Sequence, residues 1–342
     1  MMTSFIDKTE TVSMSAVPIA RRRVLAVGAV FATTGLCPPG ARAQAWPSKA
    51  IRFVVPFASG GSSEIIARST AVELAKGLGQ SVYVDNKPGG GGNIAMGEVA
   101  NADDQHTLIL GHIGTLAVNP FIYDKLPYEI KRDFRPISLL AKVPSLYVVH
   151  PDLPARNLKE FLGLARARPG ALNYSSAGNG SAGHLSFEYL KMVSNTFVAH
   201  VPYRGTGPQL TDLLAGRVDA AAIGAPAILQ FIKAGKLRCI ATGSAQRIAQ
   251  LPDVPTVAEQ GFPGFEMTQW YGLLAPTKLA QAFAARLASV AQEALKEPAL
   301  LEQFAAAAAI PVGGTPQAFE TFIAAEQQRW KAVVARARIK PD

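Results

Sequence analysis

Two cysteines, Cys37 and Cys239, are all that the 342 residues contain, which excludes a disulfide framework and a thiolate metal centre. Long apolar runs are missing too: the stretch from Val24 to Cys37 has 14 residues, short of the roughly 20 that a membrane-crossing helix needs. Basic residues never run to four in a row, and no basic stripe is interleaved with aromatics, so the electrostatic footprint of a nucleic-acid binder is lacking. The five histidines, His106, His112, His150, His184 and His200, show no paired metal-ligand spacing. The glycine run Gly89 to Gly92 does not extend into Gly-x-Gly-x-x-Gly, and Gly-x4-Gly-Lys-Ser/Thr does not occur. No nucleotide or other cofactor is expected.

What is present begins with an export signal over residues 1–45. Arg21, Arg22 and Arg23 precede the short apolar stretch, and both Ala41-Arg42-Ala43 and Ala43-Gln44-Ala45 put small residues where a signal peptidase reads. Cleavage is expected after Ala45, with Ala43 as the alternative; the adjacent arginines leave the Sec and twin-arginine routes both open. The formal charge is +9, from 34 Lys and Arg against 25 Asp and Glu. Without residues 1–45 the balance is 29 against 23, or +6, an excess that no longer asks for a polyanionic partner. A monomeric periplasmic protein follows, with Cys239 as a small buried residue of the apolar run Leu237 to Ala241.

Short β-branched runs alternate with helical patterns, the signature of parallel sheets with crossover helices. Ile51 to Pro56 reads as a strand, Phe57 to Ser63 as a loop, and Glu64 to Leu78 as a helix stopped by Gly77 and Gly79. The same grammar recurs after residue 143, where Leu172 to Ser175 leads through Ser176 to Gly183 into a helix from His184. From Ala280 the chain reads as helical to its end. Leu139 to Val149 and Met267 to Leu274 are expected to cross between two α/β lobes as a hinge. The first lobe is then discontinuous, 46–142 plus 271–342, and the second spans 143–270.

Each lobe has a buried strand that ends in a Gly/Ser loop opening a helix. One loop runs from Phe57 through Ser59, Gly60, Gly61 and Ser62 to Ser63, the other from Ser176 through Ala177 and Gly180 to Ser181. A helix start presents unpaired N–H groups and about half a positive charge, and glycine lets a ligand approach the backbone. Two such ends facing across a cleft suit a small anion, and a side chain at Gly60 is expected to block its approach. Arg204, after Tyr203, is placed either to pair with a carboxylate or to stand in solvent. Thr115 is expected to offer a hydroxyl, and His184 to touch the ligand or pack. Asn179-Gly180-Ser181-Ala182-Gly183 nearly matches the Gly-x-Ser-x-Gly nucleophile elbow, which keeps an exported hydrolase using Ser181 and His184 as an alternative.

Further residues carry a resemblance over nearly the whole chain after residue 45. They include Trp46-Pro47-Ser48-Lys49, IRFVVPFASGG from Ile51, Asp85-Asn86-Lys87-Pro88, Leu126-Pro127-Tyr128, SSAGNGS from Ser175, HVPYRG from His200 and LPDVPT from Leu251. Their order and spacing resemble the Bug or TctC family, periplasmic receptors of tripartite tricarboxylate transporters. The resemblance implies a two-lobed Venus-flytrap binding protein that closes on a carboxylate and delivers it to membrane permease subunits. It also implies that backbone groups and waters of the loop Phe57 to Ser63 hold the carboxylate, opposed by Ser176 to Ser181 and Tyr203. Ser59 and Glu64 replace the Pro and Asp usual in the family, so ligand identity does not carry over. A periplasmic sensor for a signalling receptor shares the same site and is the third alternative.

Overall fold

The computed structural model describes residues 46–337, 339 and 340; the expected export signal and its cleavage position lie outside the described residues. The strands are β1 (Ile51–Val55), β2 (Val82–Asn86), β3 (Thr107–His112), β4 (Phe134–Val149), β5 (Asn173–Ser176), β6 (Ala199–Pro202), β7 (Ala220–Gly224), β8 (Arg238–Thr242), β9 (Thr268–Pro276) and β10 (Ile310–Gly313). The helices are α1 (Ser62–Leu78), α2 (Asn93–Asn101), α3 (Asn119–Ile122), α4 (Ile130–Asp133), α5 (Leu158–Ala167), α6 (Ala182–Ser194), α7 (Thr206–Leu214), α8 (Ala225–Lys233), α9 (Gln281–Ala294), α10 (Pro298–Ala306) and α11 (Pro316–Ala337).

Strands lie in the order β2-β1-β3-β9-β4-β7-β5-β6, with β10 and β8 also on β4. β1 runs parallel to β2 and β3, and β5 runs parallel to β6 and β7, as crossover helices require. The long strand β4 is the spine of both halves. Phe134 to Pro144 pair antiparallel with β9, and Leu139 to Lys142 also with β10. From Ser145 to Val149 the partners are β7 and β8 instead. The architecture is therefore the expected two-lobed α/β form, with β4 and β9 as the two crossing strands.

Local chemistry explains the helix ends. α1 buries Ile66, Ala67, Leu74 and Leu78, where a fully buried aliphatic side chain contributes about 1.5–3 kcal/mol, and stops at Gly79 in the left-handed region. α5 is capped by Asn157, whose side chain accepts from the Glu160 N–H at 2.9 Å. The expectation of continuous helix after Ala280 is corrected by β10. Pro311 within Ile310-Pro311-Val312-Gly313 cannot continue a helix, and the segment adds to the edge of β4. Cys239 is buried on β8, which pushes its thiol up to about 12.

Candidate functional site

Four helices begin at one place between the lobes. Ser62 and Ser63 open α1, Ala182 and Gly183 open α6, Thr206 opens α7, and Gly224 precedes α8; all of them line a single cavity. Phe57, His112, Ala177, Ser181, Gln209, Gln269 and Tyr271 complete the wall with Ala222 and Ile223, and no Asp, Glu, Lys or Arg is among them. The cavity is about 40 Å³, where one water needs roughly 10–15 Å³. Each helix start offers N–H groups without an intrahelical acceptor and roughly half a positive charge. The space is thus electropositive without a charged side chain, a setting for an anion.

The lobes meet around this cavity through glycines. A Cβ on Gly207 would stand 2.7 Å from the Ser59 carbonyl oxygen, and one on Gly205 would stand 2.6 Å from the Ala58 Cβ. On Gly91, which also has φ +62°, it would stand 2.6 Å from the Asn179 carbonyl oxygen. Outside the seam lies a second hollow of about 350 Å³, walled by Gly89 to Gly92, Tyr123, Tyr203 and Arg204 and sharing Phe57 and Ala177 with the inner cavity.

Of the residues expected from sequence, Phe57, Ser62, Ser63, Ala177 and Ser181 line the inner cavity, while Tyr203 and Arg204 stand at the outer hollow. The Tyr203 hydroxyl turns away to donate to Asp212 at 2.8 Å, and burial together with that bond raises it to about 12. Ser59 and Gly60 are exposed at the rim and Gly61 is the N-cap of α1. The Gly60 N–H donates to Glu64 Oε2 at 2.7 Å, and Arg68 holds the same carboxylate at 2.6 Å. A Cβ on Gly60 would face the Gly207 Cα at 3.4 Å. A side chain at Gly60 therefore faces the seam between the lobes, on backbone held at φ +91°. Thr115 Oγ1 exchanges bonds with the backbone of His112 at 3.3 Å. Ser176 Oγ is tied to the Gly178 backbone and to His200 Nε2 at 2.7 Å. Gly180 donates its N–H to His184 Nδ1 at 3.1 Å, and the His184 ring stacks on His200 at 4.3 Å.

These bonds bear on the hydrolase alternative. Ser181 Oγ accepts from the His184 backbone N–H at 3.4 Å as the N-cap of α6, while the ring's Nδ1 accepts from Gly180. The pair builds a helix cap.

Among the wall residues that sequence reasoning passed over are Gln209, Gln269, Tyr271 and His112. Gln209 donates to the Ser175 carbonyl at 2.9 Å. Tyr271 donates to Gln269 Oε1 at 2.7 Å, and Gln269 donates to Ser145 Oγ at 3.3 Å, so both crossing strands reach the cavity floor. His112, at the end of β3, stacks on Phe57 at 4.5 Å and accepts the Thr115 N–H at Nδ1, 3.0 Å away. Burial lowers it from 6.5 to about 4. Also passed over was Gly178-x-Gly180-x-x-Gly183, the spacing by which a strand-to-helix turn lets an anion approach the backbone. Gly178 and Gly180 have φ of +118° and +71°, and a Cβ on Gly183 would stand 2.5 Å from the Ala222 carbonyl oxygen.

The His112 shift has a consequence for stability. The unfolded chain takes up a proton below about pH 6.5, while the folded one stays neutral until about 4. Stability is therefore complete above pH 6.5 and falls as pH drops toward 4, by about 3 kcal/mol from this group. Thermal melts between pH 7 and 4 are expected to show a smaller loss for His112→Gln than for the wild type; equal losses would remove His112 as the cause.

The family model described as tripartite tricarboxylate transporter family receptor, TctC, matches residues 66–339. BugT of Bordetella pertussis is 37% identical over 321 residues, covering 93% of this chain and 98% of that one. Among solved structures, R. palustris Rpa4515 with adipate is 35% identical with a TM-score of 0.84, covering 87% of this chain and 100% of that one. MatC from Rhodopseudomonas palustris with bound malate is 32% identical with a TM-score of 0.81, covering 84% and 100%. Matched over most of its length, and built as they are, this chain belongs to the TctC family of tripartite tricarboxylate transporter receptors, the Bug-type solute-binding proteins, and is not an enzyme.

Proposed function

We propose that the protein is a periplasmic, monomeric receptor that closes on a small organic carboxylate and presents the closed form to the permease subunits of a tripartite tricarboxylate-type transporter. The observation that carries this reading is the convergence of four helix starts on a cavity free of charged side chains. Such a cavity stabilises an anion through backbone N–H groups. The adipate and malate held by the two relatives support the same chemistry. The acid end sits in the inner cavity, contacted by Phe57, Ser62, Ser63, Ala177 and Ser181, and the rest of the solute reaches past Phe57 and Ala177 toward Tyr203 and Arg204. Ser59, Gly60, Gly61, Ser176, Gly180 and His184 shape the two loops, and Thr115 fixes the cavity floor through His112. The lobes divide at 142/143 and 270/271, a division supported by the exchange of β4 partners at Pro144–Ser145.

Calorimetry of the purified protein against mono-, di- and tricarboxylates and aromatic acids tests the reading. At least one acid is expected to bind with micromolar affinity or better, near −8 kcal/mol, without turnover of the corresponding ester. The reading fails if none binds below about millimolar.

A further inference from the structure

We infer that His112 is a specificity-determining contact of the inner cavity, its Nε2–H donating a hydrogen bond to an oxygen of the bound carboxylate. The inference rests on the receptor function proposed above and adds to it the residue that reads the acid. His112 lines the cavity and its side chain is 3% exposed. Its Nε2 has no hydrogen-bond partner among the described residues. Because Nδ1 accepts the Thr115 N–H, the single proton of the neutral ring sits on Nε2. An unpaired buried donor costs about 1–3 kcal/mol, and a ligand oxygen in the cavity is the acceptor that removes this cost. Stacking on Phe57 holds the ring plane, and the bonds to Thr115 hold its rotation, so the donor is fixed before the ligand arrives.

The chemistry of that donor selects. Nε2–H can only donate, as can the helix-start N–H groups around it, so a carboxylate with two accepting oxygens suits them, whereas the corresponding amide turns its NH₂ toward one donor or another. Ser62 Oγ, beside the Tyr271 hydroxyl, likewise has no partner of good geometry, but a hydroxyl donates or accepts and so discriminates less. A cavity without Lys or Arg thus tells acid from amide through a neutral side chain acting together with backbone N–H groups.

The test titrates the full chain with malate and adipate. His112→Phe keeps an aromatic ring to stack on Phe57 but removes the Nε2 donor, together with the Nδ1 acceptor of the Thr115 N–H, and is expected to weaken binding about 10- to 100-fold. His112→Gln restores an N–H near the Nε2 position and is expected to stay within about tenfold of the wild type. Nitrogen-15 spectra of the wild type are expected to show the Nε2-protonated tautomer, with that resonance moving on saturation by the acid. This measurement decides the matter even where a variant does not fold. Equal affinity of His112→Phe and wild type, or an unmoved Nε2 resonance while other signals shift, overturns the role of His112 and leaves the receptor function standing. A wild type that binds none of the wider panel of acids overturns the receptor function, and this contact with it.

Discussion

Ser62→Asp is expected to abolish binding of whichever acid of the carboxylate panel the wild type takes, weakening it about 1000-fold or more, while leaving the free protein at least as stable as the wild type. Ser62 is the first residue of α1 and is buried against the cavity. An acidic side chain at a helix start is favourable, so the new carboxylate settles where four helix starts converge. A second anion then meets a like charge a few ångströms away. At an effective dielectric constant near 20 that repulsion is about 4 kcal/mol at 4 Å, or roughly three decades in affinity. Ser62→Asn has nearly the same size without the charge and is expected to keep measurable binding. Calorimetry and thermal melts on both variants decide. If Asn and Asp lose binding equally, crowding and not charge governs the cavity.

The second large effect belongs to the seam. Gly207→Val is expected to weaken binding roughly 10- to 100-fold, with only a small fall in the melting point of the free protein from the valine's position before Pro208. Gly207 lies in the first turn of α7 directly before Pro208, where a side chain adds a local backbone cost, and the atoms its Cβ would meet belong to Ser59 in the other lobe. Under the closing motion proposed above, the clash acts where the lobes come together. Small-angle scattering is expected to show contraction on adding an acid that the wild type binds, and none for the variant. A variant that contracts and binds normally would show that Ser59 and Gly207 do not meet in the closed form. Gly60→Val acts at the same seam, but its residue has φ +91°, so its own loop is strained as well.

What could be read from the sequence was local. The loops Phe57 to Ser63 and Ser176 to Ser181 announce themselves because each glycine sits within a few residues of the helix it opens. α7 was legible from Gly205 and Pro208. α8 starts with Gly224-Ala225-Pro226, an equally good helix start, but it follows an alanine-rich strand that masks the change of period. β10 was not legible because its partner on β4, Lys142 opposite Ile310, is far away in sequence and the flanking alanines favour helix. The cavity floor was hidden for the same reason. Gln269 and Tyr271 on β9 and His112 on β3 become neighbours only through the antiparallel pairing of those strands, in which His112 stands opposite Tyr271. No pattern within either segment marks them as polar residues turned into one space.

That pairing also sets an order of events during synthesis. Residues 145–242 hold β5 to β8 and the end of β4, which pair among themselves, and can assemble as soon as they have emerged. β1 to β3 emerge earlier but must wait, because the free edge of β3 is covered only by β9. Until then a fully buried strand, Thr107 to His112, stands as an open and apolar edge, the kind that templates aggregation. Contacts this distant in the chain also close slowly. The oldest strands of the described chain thus wait for one of the youngest, and a holding chaperone has the most to protect there.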